Sequence, residues 1–99
     1  MTSKQRAYLK GIAMTTEPIL QIGKSTLTPE LTQAAVEAFH THELIKISVL
    51  QNCIADPKEM AQVLAERTHS EVVQVIGKKI VLYKQAKEEK DRKIILPSR

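Results

Sequence analysis

The sequence predicts an α/β fold of the α+β kind: a mixed four-stranded sheet with three helices, in the order α-β-α-β-α-β-β. Three observations predict it. Segments with apolar residues at helical spacing alternate with short apolar runs over the first 70 positions. Two β-rich runs, EVVQVI and KIVLYK, then follow with only Gly77-Lys78 between them, which is typical of a type II′ hairpin. Finally, 99 residues with a hydrophobic fraction of 42% are enough for one domain with one modest core.

Each predicted helix begins at a recognisable N-cap. Thr2 and Gln5 have the spacing of a capping box. Thr28 and Asp56 are each followed by a proline, which favours the first position of a helix. Apolar residues at helical spacing then predict the buried faces, which are Leu9, Ile12 and Ala13 in the first helix, Leu31, Ala34, Ala35, Ala38 and Phe39 in the second, and Met60, Val63 and Leu64 in the third.

The first two strands are predicted from short apolar runs. Pro18–Ile22 indicates a short strand, with proline at its start, where a missing amide is tolerated. Glu43–Leu50 is too apolar for a strand with one solvated face, so we expect it inside the sheet. Right-handed crossovers would place the second and third helices on one face of the sheet. We expect residues 1–84 to form the domain and residues 85–99 to be a charged tail that docks through Ile94–Leu96.

Charge is unevenly distributed along the chain, whose net charge is +4. Residues 1–28 carry four bases and one acid, residues 29–71 three bases and seven acids, and residues 72–99 eight bases and three acids, which gives net charges of +3, −4 and +5. If the fold brings the two basic ends together, a positive face results, and such a face attracts nucleic acid or an anionic membrane. The alternative is that these charges only keep the protein in solution.

The run QIGKSTLTPE contains Gly-Lys-Ser-Thr, which is also the ending of a nucleotide-binding P-loop. That motif needs a further glycine five residues before Gly23, where this sequence has Pro18 in an apolar run. Nucleotide hydrolysis is therefore not expected. The loop still leads from a strand into the start of a helix, where free amides and Lys24 favour an anion such as the phosphate of a polymer. The alternative is an ordinary strand–helix turn in which Gly23 supplies a positive φ.

Other chemistries have little support in the sequence. His40, His42 and His69 do not have the spacing of zinc ligands, and the single Cys53 does not complete a set. We therefore expect no metal, no cofactor and no small-molecule substrate. Since no catalytic nucleophile or acid–base set is recognisable, we do not expect an enzyme. No run reaches the roughly 18 apolar residues of a membrane span, and one cysteine favours a reducing, cytoplasmic setting.

An ordered set of short motifs extends over nearly the whole chain. Its members are Lys4-Gln5, Leu9, Ala13, Pro18, Gln21–Lys24, Leu27-Thr28, His42–Lys46, Val73–Lys78, Val81–Tyr83 and Leu96-Pro97. No member is specific alone, but the set resembles the CRM domain family, in particular its stand-alone bacterial YhbY-like members. The resemblance implies a fold similar to the C-terminal domain of translation initiation factor three, and RNA binding as the activity. Because bacterial members associate with precursors of the large ribosomal subunit, it also implies ribosomal RNA as the partner and a role in assembling that subunit.

The resemblance further implies an RNA-binding GxxG loop, which corresponds here to Gly23-Lys24-Ser25-Thr26. Thr26 replaces the second glycine, and a β-branched residue is costly at positive φ. Either the loop has a regular conformation at Thr26, or RNA approaches it differently. The Thr26 hydroxyl could instead donate a hydrogen bond to a phosphate.

The expected RNA-binding surface combines this loop with cations from other segments. Its members are Gly23, Lys24, Ser25 and Thr26 in the loop, Lys4, Arg6 and Lys10 in the first helix, and Lys46, Lys78 and Lys79, with Lys84 as a further candidate. Three aromatic residues do not supply the stacking platform of RRM-type proteins, so we expect recognition through backbone and shape. The alternative function is a protein–protein adaptor in ribosome assembly, whose basic face docks an acidic partner. We expect a monomer.

Overall fold

The structure, a computed structural model, describes residues 1–97. The helices are α1 Ser3–Ala13, α2 Pro29–Ala38 and α3 Pro57–Thr68, and the strands are β1 Leu20–Ile22, β2 Leu44–Val49, β3 Glu71–Ile76 and β4 Lys79–Tyr83. A short 3₁₀ turn, Glu89–Asp91, follows β4. The elements occur in the predicted order, and the predicted fold of three helices and a mixed four-stranded sheet is confirmed.

All three helices begin at the predicted caps. The Thr2 hydroxyl accepts a hydrogen bond from the Gln5 amide at 3.1 Å, and the Gln5 side chain accepts one from the Thr2 amide at 3.0 Å. The Thr28 hydroxyl accepts from the Leu31 amide at 3.0 Å, and the Asp56 carboxylate caps α3 in a similar way. Each cap satisfies an amide that has no partner inside its own helix.

The strands lie in the order β1-β2-β4-β3. β1 is parallel to β2, whereas the β2–β4 and β4–β3 pairs are antiparallel. β2 therefore lies inside the sheet, as its apolar run predicts. The β3–β4 hairpin turns through Gly77 and Lys78, and φ is positive (+55°) at Gly77 but not at Lys78. This is the pattern of a type II′ turn.

The sheet has two ends with different neighbours. At the first, which we call the loop end, lie the Gly23–Thr26 loop after β1, the segment after β2 and the Gly77-Lys78 turn. At the second, which we call the tail end, lie Glu43 before β2 and Lys84 after β4, where the Lys84 amide donates to the Glu43 carbonyl at 2.8 Å. The chain after β4 begins at this tail end.

A separate apolar core fills each face of the sheet. α2 and α3 cover one face, and its buried residues include Ile47 of β2 and Leu64 of α3. α1 covers part of the other face, which we call the α1 face, where Leu9 packs with Leu44 and Val81. The predicted placement of the second and third helices on one face is confirmed, as right-handed crossovers require.

The buried stripe of α3 differs from the predicted one. Val63 is 37% exposed, so its prediction as a core residue is wrong. Helical spacing from Met60 allows either Val63 or Ala61 beside Leu64, and the stripe that faces the sheet is the one that contains Ala61. The buried residues of α3 are Met60, Ala61, Leu64, Ala65 and Thr68.

One buried carboxylate holds the segment after β4. Glu43 is 6% exposed and accepts hydrogen bonds from the amides of Ala86, Lys93 and Ile94 at 2.9, 2.7 and 2.9 Å. Burial raises the pKa of the Glu43 carboxyl, but the three amides and the nearby Arg92 guanidinium together outweigh burial, so the pKa lies below its ordinary value of 4.5. The tail is thereby tied to the start of β2 by a charged acceptor.

The last described residues of the tail pack on the α1 face. Ile94 and Leu96 are half-buried against the core there, whereas Ile95 is 82% exposed. The Gln5 amide group in α1 donates to the Pro97 carbonyl at 3.1 Å. The two basic ends of the chain therefore lie on the same face of the sheet.

Candidate nucleic-acid interface

The Gly23–Thr26 loop connects β1 to α2 as a closed turn. The Thr26 amide donates to the Gly23 carbonyl at 3.0 Å. Lys24 and Ser25 at the tip are exposed, while Gly23 and Thr26 are half-buried. The turn therefore presents a cation and a hydroxyl to solvent, with the Gly23 backbone accessible beside them.

Thr26, and not Gly23, has the left-handed conformation. Its φ is +57°, so the alternative of a regular conformation at Thr26 is wrong. The φ of Gly23 is not positive, so the alternative in which Gly23 supplies a positive φ is also wrong. The turn is completed at its fourth residue, just before the chain becomes extended at Thr28. His69 has the same φ, but it ends α3, where left-handed residues are common. For an ordinary side chain this conformation costs about 1–2 kcal/mol.

Gly23 is not required by the packing around it. A Cβ at this position would lie 3.7 Å from Leu50 Cδ1 and 3.8 Å from Asn52 Oδ1, which are ordinary van der Waals distances. Neither φ nor the neighbouring side chains therefore exclude a larger residue. The glycine leaves its backbone open to close approach by a group from outside the chain.

Tertiary pairing places Lys78 and Lys79 at the same end of the sheet as Lys24. The Val49 amide donates to the Lys78 carbonyl at 2.7 Å, and the following amide donates to the Ile22 carbonyl at 2.8 Å. These bonds join the ends of β1 and β2 to the hairpin turn. Three of the predicted RNA-binding cations therefore share the loop end.

Lys46 has a contact that sequence reasoning missed. Its Nζ donates to the Ala13 carbonyl at 3.1 Å, at the C-terminus of α1. That carbonyl also accepts from the Thr16 amide at 3.1 Å, and a cation beside it interacts favourably with the helix dipole. The two residues are 33 positions apart, so no local pattern indicates the contact. Lys46 thus stabilises the end of α1 from the α1 face.

The three basic residues of α1 are spread along the helix. Lys10 lies in its last turn. Lys4 lies in the first turn, which contacts the tail. Arg6 is half-buried and lines a shallow pocket together with Glu66 and Glu71. The structure therefore does not bring Lys4 and Arg6 to the Gly23–Thr26 loop.

The histidines are exposed, whereas the single cysteine is buried. His40, His42 and His69 are exposed, and Cys53 is buried with its Sγ 4.0 Å from Met60 Sδ. Across residues 1–97, no three His, Cys, Asp or Glu side chains are grouped closely enough to hold a metal ion. In that same range, no helix combines the length and the apolar character that crossing a membrane requires.

Known proteins match this chain over nearly all of its length. The family model of the CRS1 / YhbY (CRM) domain matches residues 1–84. The chain belongs to this family. The resemblance of the motif set to the CRM domain family is therefore confirmed.

Individual CRM relatives and a solved structure agree with this assignment. YqeI of Bacillus subtilis, whose name describes it as a probable RNA-binding protein, is 42% identical over 90 residues, which are 91% of this chain and 94% of that protein. A protein of Haemophilus influenzae named RNA-binding protein is 30% identical over 90 residues, 91% of each chain. The solution structure of a hypothetical protein from Staphylococcus aureus has a TM-score of 0.82 at 43% identity and covers 98% of this chain and 99% of its own.

Proposed function

We propose that this CRM-domain protein binds RNA without catalysing a reaction on it, and that the Gly23–Thr26 loop holds the ribose-phosphate backbone. The observation that carries the proposal is the presence of a glycine at Gly23, beside the exposed Lys24. Neither the φ angle there nor the packing around it requires a glycine. The names of the relatives support RNA as the ligand class. The resemblance to bacterial family members supports ribosomal RNA in large-subunit precursors as the target, and a role in assembling that subunit.

Lysines at the loop end supply the electrostatic part of this binding. Lys24 and Lys78 are exposed, and Lys79 is half-exposed. Neutralising phosphates with such cations releases counterions, which makes affinity fall as salt rises. Lys10 lies farther from the loop end, on the α1 face. An RNA that also reached Lys4 would have to extend toward the tail end, and the molecule is 39 Å long.

The first turn of α2 contributes few amides to a phosphate. Pro29 has no N–H, and the amides of Leu31 and Thr32 are bonded to the hydroxyl and the carbonyl of Thr28. Glu30, an exposed acid in the same turn, further disfavours an anion there. The phosphate is therefore held by the loop residues themselves more than by the helix terminus.

Lys24→Glu tests the role of the loop. The variant is expected to bind a large-subunit ribosomal RNA fragment about 1–2 kcal/mol more weakly, because a charge-assisted contact is lost. Its free energy of unfolding should change by less than about 0.5 kcal/mol, because the side chain is exposed. Fluorescence anisotropy at several KCl concentrations measures the affinity. The logarithm of the affinity should fall with the logarithm of salt concentration, less steeply in the variant.

Lys90→Glu is the matched control, since it makes the same charge change at an exposed residue of the tail. Its RNA affinity should fall much less than that of Lys24→Glu. Equal losses would indicate a general effect of net charge, and an unchanged affinity in Lys24→Glu would remove the loop from the binding site. Retention on an acidic protein in preference to RNA would favour the adaptor function.

A further inference from the structure

Four side chains form a continuous row across the sheet. Gln21 of β1 lies directly opposite Ser48 of β2, Ser48 opposite Lys79 of β4, and Lys79 opposite Ile76 of β3. Residues directly opposite each other in paired strands point to the same face. Gln21, Ser48, Lys79 and Ile76 therefore lie side by side, and we call them the cross-sheet row.

The cross-sheet row lies on the α1 face, beyond the part that α1 covers. Ser48 shares its face with Leu44, and Lys79 shares its face with Val81, because side chains alternate along a strand, and both apolar residues belong to the α1-face core. The final carbonyl of α1 is bonded to Lys46, one same-face position before Ser48 on β2. Ile76 lies past this end of α1, and its side chain is accordingly 62% exposed.

The exposures of the other three members agree with an open surface. Gln21 is exposed, and Ser48 and Lys79 are half-exposed even though they belong to inner strands. The row thus presents an amide, a hydroxyl, an ammonium group and an aliphatic side chain in sequence. An isoleucine exposed to this extent beside polar groups is suited to a ligand with both an apolar surface and hydrogen-bonding edges.

The row is continuous with the Gly23–Thr26 loop. Gln21 precedes Gly23 by two residues, which at the rise of a strand is about 7 Å. Four strands spaced at about 4.8 Å make the row about 14 Å wide. In other RNA-binding domains, the face of a four-stranded sheet accommodates two or three bases.

We propose that the cross-sheet row is a nucleobase-binding surface for unpaired RNA, which rests on the proposed function of the neighbouring loop. With the RNA backbone at Gly23–Thr26, splayed bases lie over the sheet. The Gln21 amide and the Ser48 hydroxyl both donate and accept hydrogen bonds, so they can pair with base edges. Ile76 packs against a base, and Lys79 adds positive charge.

Unpaired RNA fits this surface better than a duplex does. The bases of an A-form helix are stacked, and its major groove is too deep and narrow for side chains to read. Side chains on an open sheet face can contact base faces only when the bases are unstacked. The row has no aromatic member, so the contacts are weaker than aromatic stacking and each variant should have a modest effect.

The test compares one RNA sequence in two forms. A single-stranded oligonucleotide of about 12 nucleotides, which is longer than the two or three bases that a sheet face holds, is titrated with the intact protein. Its duplex is titrated in the same way, at the same fixed salt concentration. We expect the single strand to bind at least several-fold more tightly. Gln21→Ala and Ile76→Ser should each weaken single-strand binding about 3- to 10-fold, at the low end of what loss of an aromatic stacking contact does, and should leave duplex binding unchanged. NMR amide shifts at the row on addition of the single strand should identify the contact directly.

Matched controls separate this proposal from the loop. Gln62→Ala on α3 and Ile95→Ser in the tail make the same changes at exposed positions away from the row, and they should not alter single-strand binding. Two results would contradict base binding by the row without contradicting backbone binding by the loop. One is equal affinity for both RNA forms, and the other is normal binding by the row variants while Lys24→Glu is impaired. If the unaltered protein binds neither RNA form, the proposed function itself fails.

Discussion

The loop end and the tail end of the sheet differ in the role of their charged side chains. At the loop end, Lys24 and Lys78 are exposed to solvent, and Thr26 has an unfavourable left-handed conformation. At the tail end, the carboxylate of Glu43 is buried, and three backbone amides satisfy it. The loop end therefore has exposed charge available to a ligand, whereas the tail end uses its charge to hold the chain together.

This difference implies that stability and binding can be changed separately. A buried acceptor with several amide partners contributes to folding, and its loss leaves those amides without partners. An exposed cation beside an open glycine contributes little to folding and can contribute to affinity. Substitutions at one end should therefore move one property and not the other.

The largest expected effect on stability is that of Glu43→Ala. The variant should lose about 2–3 kcal/mol of unfolding free energy, because hydrogen bonds to a charged group are removed while the amides lose their acceptor. Urea unfolding measures the loss, and RNA affinity should stay unchanged. Glu37→Ala, at an exposed acid of α2, is the control that should leave stability almost unaltered. A fall in RNA affinity without a fall in stability would contradict the assignment of stability to the tail end and of RNA binding to the loop end.

Acid should release the tail through the same carboxylate. The folded pKa of Glu43 lies below the ordinary value of 4.5, so its stabilisation is fully present above that value and is lost as the pH falls through the lower folded pKa. The amide resonances of Ala86, Lys93 and Ile94 should shift together in this acidic range. Glu43→Gln should abolish the transition. A transition near pH 6.5, the ordinary pKa of histidine, would instead assign tail docking to a histidine.

Thr26→Gly sharpens the comparison from the loop end. Removing the left-handed side chain relieves about 1–2 kcal/mol, part of which is offset by the greater freedom of glycine in the unfolded chain. The net expectation is a gain of about 1 kcal/mol in unfolding free energy, measured by thermal or urea unfolding. Thr26→Ala, which keeps a Cβ, should gain less. A loss of stability in Thr26→Gly would show that threonine contacts outweigh the backbone cost.

The smallest expected effect is that of Tyr83→Phe at the tail end. Tyr83 is 5% exposed, and its buried hydroxyl has no hydrogen-bond partner within residues 1–97. Removing an unpartnered polar group should leave stability unchanged or raise it by up to about 1 kcal/mol. Differential scanning calorimetry compares the two proteins. A clear loss of stability would mean that a bound water satisfies the hydroxyl.

Local patterns predicted most of the fold and one part of the candidate site. Thr2, Thr28 and Asp56 identify the helix starts, and Gly77 identifies the hairpin, because caps and turns depend on residues within four positions of each other. The same reasoning located the Gly23–Thr26 loop between a strand and a helix. It left the conformation of Thr26 open, because a positive φ is costly for a β-branched residue, and the structure shows that Thr26 nevertheless has one.

The remaining features required contacts between distant segments. In the sequence, Glu43 is only the polar first residue of the predicted strand Glu43–Leu50, and no local pattern indicates that it is buried. Those partners lie 43 to 51 positions away. Lys46 likewise reads as a surface cation, although its partner is the last carbonyl of α1. Side-chain type alone does not distinguish a solvated charge from a bonded one.

By itself, the sequence determined the order of the elements and the start of each helix, because apolar spacing, caps and prolines act through neighbouring residues. Only the tertiary structure decided that Lys24, Lys78 and Lys79 share one end of the molecule, that Glu43 fastens the tail at the other, and that four strands present one open row. The physical reason is strand register, which brings together side chains that are dozens of residues apart and which no local propensity specifies.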